Sequence, residues 1–166
     1  MSDSNQNAAT SAGQQQFVLQ KIYVKDVSFE TPNTPDIFTQ DWKPDVNVEL
    51  DTRGKQIAQD VHEVVLGITV TVKMADKIAY LIEIHQAGIF TIKGFAESER
   101  GMMLGSYCPN VLFPFAREAI SDLVTKGGFP QLLLVPVNFD AIYHEHLQRM
   151  RAQSDEKKNA GEKAVH

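Results

Sequence analysis

VHEVVLGITVTVKMADKIAYLIEIHQ, Val61 to Gln86, decides the fold. Val64, Leu66, Ile68, Val70, Val72 and Met74 fall on every second residue, while Glu63, Gly67, Thr69, Thr71 and Lys73 take the alternate places. Successive side chains of a strand point to opposite faces, so this spacing predicts one covered face and one solvated face. A turn around Ala75-Asp76 leads into Ile78, Tyr80, Ile82 and Ile84, which share a face by the same rule. So short a connection permits only antiparallel pairing.

Outward from this hairpin, Phe17 to Glu30 is rich in Phe, Val, Ile and Tyr and closes on Thr31-Pro32-Asn33-Thr34-Pro35-Asp36, a turn signal. Val46, Val48 and Leu50 alternate with Asn47 and Glu49 and predict a half-buried strand. After Gly105 the period changes. Leu112, Ala116, Ala119, Ile120, Leu123 and Val124 recur at helical spacing, with Lys126 in the last turn and Gly127-Gly128 as a stop. Pro114 suits a first turn, and Asn110 suits a cap. Phe129 to Val137 is apolar and held extended by two prolines, and Asn138 caps a short last helix carrying Ile142, Leu147 and Met150. Strands followed by helices predict an α+β domain with an antiparallel sheet covered on one face.

The chain of 166 residues is 43% hydrophobic, enough for one core. The predicted division is a tail over residues 1–15, a domain over 16–150 and a mobile tail over 151–166. A formal charge of −5 disfavours nucleic acid and leaves room for a basic protein partner. One cysteine makes no internal disulfide, which fits a reducing cytosol. The first residues lack the basic and apolar regions of a signal peptide, and no apolar run approaches a membrane span. A cytoplasmic protein without membrane insertion is the expectation.

Catalytic patterns are weak. Cys108 lies near a helix start but has no histidine near it in sequence, and cysteine packs as a small hydrophobe. His144 and His146 are two apart, which on a helix turns their rings away from one another. Neither a phosphate-binding glycine loop nor a serine nucleophile elbow occurs. The sequence therefore predicts no enzyme, no metal and no cofactor. More distinctive is a set of acidic and apolar residues on predicted strand faces: Asp26, Ser28 and Glu30 on one, Leu81, Glu83 and His85 on another. Either they join in an acidic patch with an apolar centre, or they are ordinary solvated sheet surface.

KDVSFETPN (25–33), FTQDWKPDVNVELDT (38–52), EVVLGITVT (63–71), GIFTIKG (88–94), LGSYCPNVLFPFARE (104–118) and GGFPQLLLVPVNFDAIY (127–143) together resemble the SecB family of bacterial export chaperones. The resemblance spans nearly everything from Phe17 to Leu147. It implies a four-stranded antiparallel sheet with helices on one face, assembled as a homotetramer, a dimer of dimers. It implies an ATP-independent holdase that keeps precursor proteins unfolded and delivers them to the motor SecA. Matched residue by residue, the SecA contact falls on Asp26, Glu30, Leu81 and Glu83. The precursor groove falls on Trp42, Val46, Val48, Leu50, Leu132, Leu134, Phe139 and Ile142. Ile82, Ile84 and Gln86 match positions that affect the tetramer, although their alternation reads as covered sheet face. The chain departs from the family in a longer N-terminal tail and a more basic C-terminal one, which leaves the latter's contact with SecA in doubt. A SecB-like chaperone dedicated to one partner, such as an antitoxin, is the alternative.

Overall fold

The computed structural model describes residues 13–163, the last seven as backbone alone; residues 1–12 and 164–166, which hold most of the predicted N-terminal tail, lie outside it. Four antiparallel strands form one sheet: β1 (Gln16–Glu30), β2 (Pro44–Ala58), β3 (Val61–Met74) and β4 (Lys77–Lys93), in the spatial order β1-β4-β3-β2. Helix α1 (Glu97–Met102) continues through a π-helical turn (Met103–Tyr107) into α2 (Cys108–Lys126). An extended segment then leads to α3 (Phe139–Lys163). The α+β class and the helices on one sheet face are as expected.

The core lies between the sheet and α2. Val64, Leu66, Ile68, Val70 and Val72 of β3, with Ile82, Ile84 and Phe90 of β4, are fully buried beneath Leu112, Ala116, Ile120 and Val124 of α2. Aliphatic packing of this kind contributes about 1.5–3 kcal/mol for each large side chain removed from water. β1 brings its own apolar set to the same face by an uneven spacing. Phe17, Leu19, Ile22, Val24, Val27 and Phe29 stand opposite Ile92, Phe90, Gly88, Gln86, Ile84 and Ile82. Each three-residue step, Leu19 to Ile22 and Val24 to Val27, coincides with a register shift. The extra residue of a β-bulge restores the phase, so the apolar side chains stay on one face, where Phe17, Ile22 and Phe29 are half-buried and Leu19, Val24 and Val27 remain exposed on this edge strand.

The structure corrects several local expectations. A bulge between Val72 and Lys73 sets Ile78 opposite Lys73, out of phase with Tyr80, Ile82 and Ile84. β2 is an edge strand of 15 residues, and its Val46 and Val48 remain 40% exposed where a half-buried strand was expected. Asn110 is no cap, because the helix already runs through it from Glu97. Pro114 lies inside α2. It is exposed, so the carbonyl its missing N–H leaves unpaired can be hydrated. Asn138 does cap α3: its Oδ1 accepts from the Ala141 N–H at 3.0 Å. α3 continues well past residue 150, and residues 151–156 are fully solvent-facing. Good helix formers such as Arg, Ala, Glu and Lys prolong a helix without an apolar stripe.

Two glycines set the position of α3. A Cβ on Gly105 would lie 2.6 Å from the Tyr143 ring, and one on Gly101 would lie 2.8 Å from its hydroxyl. Tyr143 thus rests in a notch on the α1–α2 helix, flanked by a Ser106–Asp140 hydrogen bond and by Phe113 packed edge-on to Phe139 at 5.8 Å.

Candidate functional site

The sheet has a second face that none of the described helices covers. Cross-strand register places Asp26 beside His85, Ser28 beside Glu83 and Glu30 beside Leu81. On the other side of β4, Leu81, Glu83 and His85 stand next to Thr71, Thr69 and Gly67 of β3. Those in turn face Asn47, Glu49 and Asp51 of β2. Asp26, Glu30, Leu81 and Glu83 are therefore adjacent on one open surface, with Leu81 half-buried among exposed carboxylates. Glu49 and Asp51 extend the acidic area across all four strands. Alternation within β2 makes their face legible, but only the register joins that strand to Glu83. His85 Nε2 lies 3.2 Å from Glu83.

Ile82, Ile84 and Gln86 point the other way, into the core. The two isoleucines are completely buried, and the Gln86 side-chain amide donates to the Tyr23 carbonyl at 3.0 Å. Any influence of theirs on assembly must pass through the packing beneath α2.

The eight residues expected to line a groove do not all meet. Leu50, Phe139 and Ile142 meet in a cleft of about 610 Å³ between β2, the π-helical turn and α3, walled also by Leu104 and Tyr143 and rimmed by Glu145, His146 and Arg149. Val46 and Val48 continue its β2 wall as exposed aliphatic surface. Trp42 stands apart from the cleft, against Phe129 at 5.8 Å, where Phe38 and Tyr80 complete an aromatic cluster. Leu134 and Phe139 are buried core residues.

The segment between α2 and α3 alternates like a strand although it pairs with none. Phe129 and Leu134 are buried and Leu132 is half-buried, whereas Leu133 and Val135 are 64% and 77% exposed. Sequence reading overlooked these two, and their signal was the period of two within an extended run. Leu133 lies beside Pro114, Arg117 and Ser121 of α2. Apolar side chains so exposed suit a chain of varied sequence, because such burial carries little directionality.

The Cys108 thiol is wholly buried, and burial pushes its pKa up to about 12, the opposite of an activated thiolate. His144 and His146 are exposed on α3. No cluster of three or more metal-ligating side chains occurs among the described residues. No described helix is long and apolar enough to cross a membrane.

The chain is similar to known proteins over most of its length. Residues 10–150 match the family model described as SecB, preprotein translocase subunit SecB. A "Protein-export protein SecB" of Nitrosococcus oceani is 57% identical over 151 residues, 90% of this chain and 92% of its own. One of the same name from Methylococcus capsulatus is 55% identical, over 93% of this chain and 96% of its own. Among solved structures, the Mycobacterium tuberculosis Rv1957 SecB-like chaperone, in complex with a ChAD peptide from the Rv1956 HigA1 antitoxin, superposes with a TM-score of 0.62. It covers 73% of this chain and 90% of its own, at 14% identity. That distance speaks to the fold alone.

Proposed function

The chain belongs to the SecB family of protein-export chaperones, and on that footing we propose that it holds precursor proteins unfolded without ATP and passes them to SecA. The observation that carries this reading is the separation of two surfaces on opposite sides of one sheet. The open face offers carboxylates around Leu81, suited to a basic segment of SecA. The helix side offers Val46, Val48, Leu50, Leu133, Val135 and Ile142, apolar area suited to an unfolded client. A holdase needs no further chemistry. It acts by binding the unfolded chain in preference to the folded one.

In this proposal the working form is a cytoplasmic homotetramer, a dimer of dimers. Linking several weak apolar sites along one client slows release by raising the effective concentration at each. Asp26, Glu30, Leu81 and Glu83 dock SecA. Trp42, Val46, Val48, Leu50, Leu132 and Ile142 form the client surface, with Leu134 and Phe139 supporting it from the core. High identity to export proteins over nearly the whole chain favours the export role over a dedicated antitoxin chaperone.

The test uses purified protein. It should suppress aggregation of a denaturant-unfolded precursor in the absence of ATP and should co-sediment with SecA. Failure in both would refute the proposal, and light scattering that finds a stable monomer would remove the avidity argument.

A further inference from the structure

The acidic end of the open sheet face has an opposite. Toward the other end of the same face, Lys21 of β1 stands opposite Ile89 of β4, which stands opposite Glu63 of β3, which stands opposite Lys55 of β2. Arg53 lies on the same side, two residues along β2, where its Nε donates to Asp51 at 2.9 Å and so joins the two ends. Lys25, carried to this face by the bulge, bonds both oxygens of Glu63 at 2.8 and 2.9 Å, and the Tyr23 hydroxyl donates to the same carboxylate. Glu63 is the acidic centre of this end, set among Lys21, Lys25, Arg53 and Lys55. Asp26, Glu30, Glu49, Asp51 and Glu83 hold the other end. The cations are exposed, and no helix covers them.

Lys21 and Lys25 stand on β1 and Arg53 and Lys55 on β2, the two outer strands, so they flank Glu63 from both sides and are not cross-strand neighbours of one another. From the Leu81 row to the Ile89 row is eight residues of β4, about 27 Å at roughly 3.4 Å per residue. A flat anionic surface or a nucleic-acid duplex large enough to cover the cations would also meet the carboxylates and be repelled by them. An extended peptide whose own charge changes sign along its length meets no such conflict.

We propose that the open face is a two-ended dock. A partner segment that sets cations on the Asp26–Glu83 end also sets an anionic stretch on the Lys21–Lys55 end, about four to six extended residues away. This deepens the docking role assigned to Asp26, Glu30, Leu81 and Glu83 and rests on it. The second end fixes the direction in which the segment lies, because reversed binding would bring like charges together at both ends.

Two kinds of synthetic peptide test this on the full chain. Both carry a Lys/Arg block and a Gly/Ser spacer of about five residues. One kind ends in an Asp/Glu block, made in both chain directions, and the other in a Ser block. By fluorescence anisotropy at low salt, one direction of the charged peptide should bind about tenfold tighter than the Ser control, a factor of ten being 1.4 kcal/mol. Lys21→Glu/Lys55→Glu should remove that advantage and leave the Ser-block peptide's affinity unchanged, while Glu83→Lys should weaken both. Equal binding of all peptides to the wild type, with the Glu83→Lys loss intact, overturns the proposal alone. A Ser-block peptide indifferent to Glu83→Lys overturns the docking role as well. Capture of phosphatidylglycerol vesicles through Lys21 and Lys55, with the peptides equal, overturns it in favour of a membrane.

Discussion

The ring of Tyr143 fills the space that a side chain on Gly105 would need, and through this contact α3 is seated on the helix that leaves the sheet. Gly105→Ala would ordinarily gain helix stability, since glycine costs roughly 0.5–1 kcal/mol in a helix interior. Here the new methyl meets the ring, and overpacking of that sort costs about 1–3 kcal/mol. Urea denaturation should therefore show Gly105→Ala destabilised, with the loss recovered when Tyr143 is also changed to Ala. A stabilised single variant would contradict the seating.

Leu133 and Leu134 are neighbours with opposite surroundings. Leu134→Ala should cost roughly 2–5 kcal/mol as a core truncation. Leu133→Ser should stay within about 0.5 kcal/mol of wild type, as exposed substitutions do. In aggregation-suppression assays, however, Leu133→Ser should weaken client holding. Intact holding by Leu133→Ser would remove that residue from the client surface.

Glu83→Lys reverses one charge on the open face, on the far side of the sheet from the apolar cleft. SecA affinity should fall at least severalfold while client binding is unchanged, measured by calorimetry with each ligand separately. Equal loss of both would show that one surface serves both partners.

The hydrogen bond from Lys25, and then that from Tyr23, holds the Glu63 carboxyl below the usual carboxylate range. A depressed folded pKa stabilises the protein above the unfolded value of 4.5, and the contribution is lost as pH falls through the folded one. Lys25→Met should therefore lower stability near neutrality by about 0.5–1 kcal/mol, a figure reduced for the solvent around Lys25. In acid, where Glu63 is protonated in both states, the variant and the wild type should converge.

His62 is 6% exposed, and its Nδ1 has no hydrogen-bond partner. Desolvation, and next the charge of Arg100, lower its pKa below 6.5, with Asp60 opposing. The neutral ring is the folded form, so stability is full above pH 6.5 and declines as pH falls toward the folded pKa. His62→Gln should flatten that part of the pH–stability curve. An unchanged slope would assign it to another group.

Much of this architecture can be read from residue order because burial on one side leaves a period in the sequence. β3 shows it clearly, as does the α2 series from Leu112 to Val124. The Asn138 cap is legible because its chemistry is local. What escaped reading depends on neighbours. Val46 and Val48 look like any half-buried pair, and only their place on an edge strand exposes them. The helix upstream of Cys108 has glycines where Tyr143 packs, so its inward positions carry no apolar period. Asp26 and Glu83 were identifiable one by one. Their adjacency, and that of Glu49 and Asp51, depends on a register that two bulges in β1 help to set.

Cys108 has a practical consequence. It is the lone cysteine of the chain and is sealed in the core with a thiol of very high pKa. Alkylating reagents can reach it only when α2 lifts from the sheet, so its labelling rate times the opening of the fold. Until then the native molecule is a silent background. A cysteine introduced at Glu49 on the open face, or at the exposed Ile142 of the cleft, would be the one fast-reacting thiol, allowing each surface to be tagged separately.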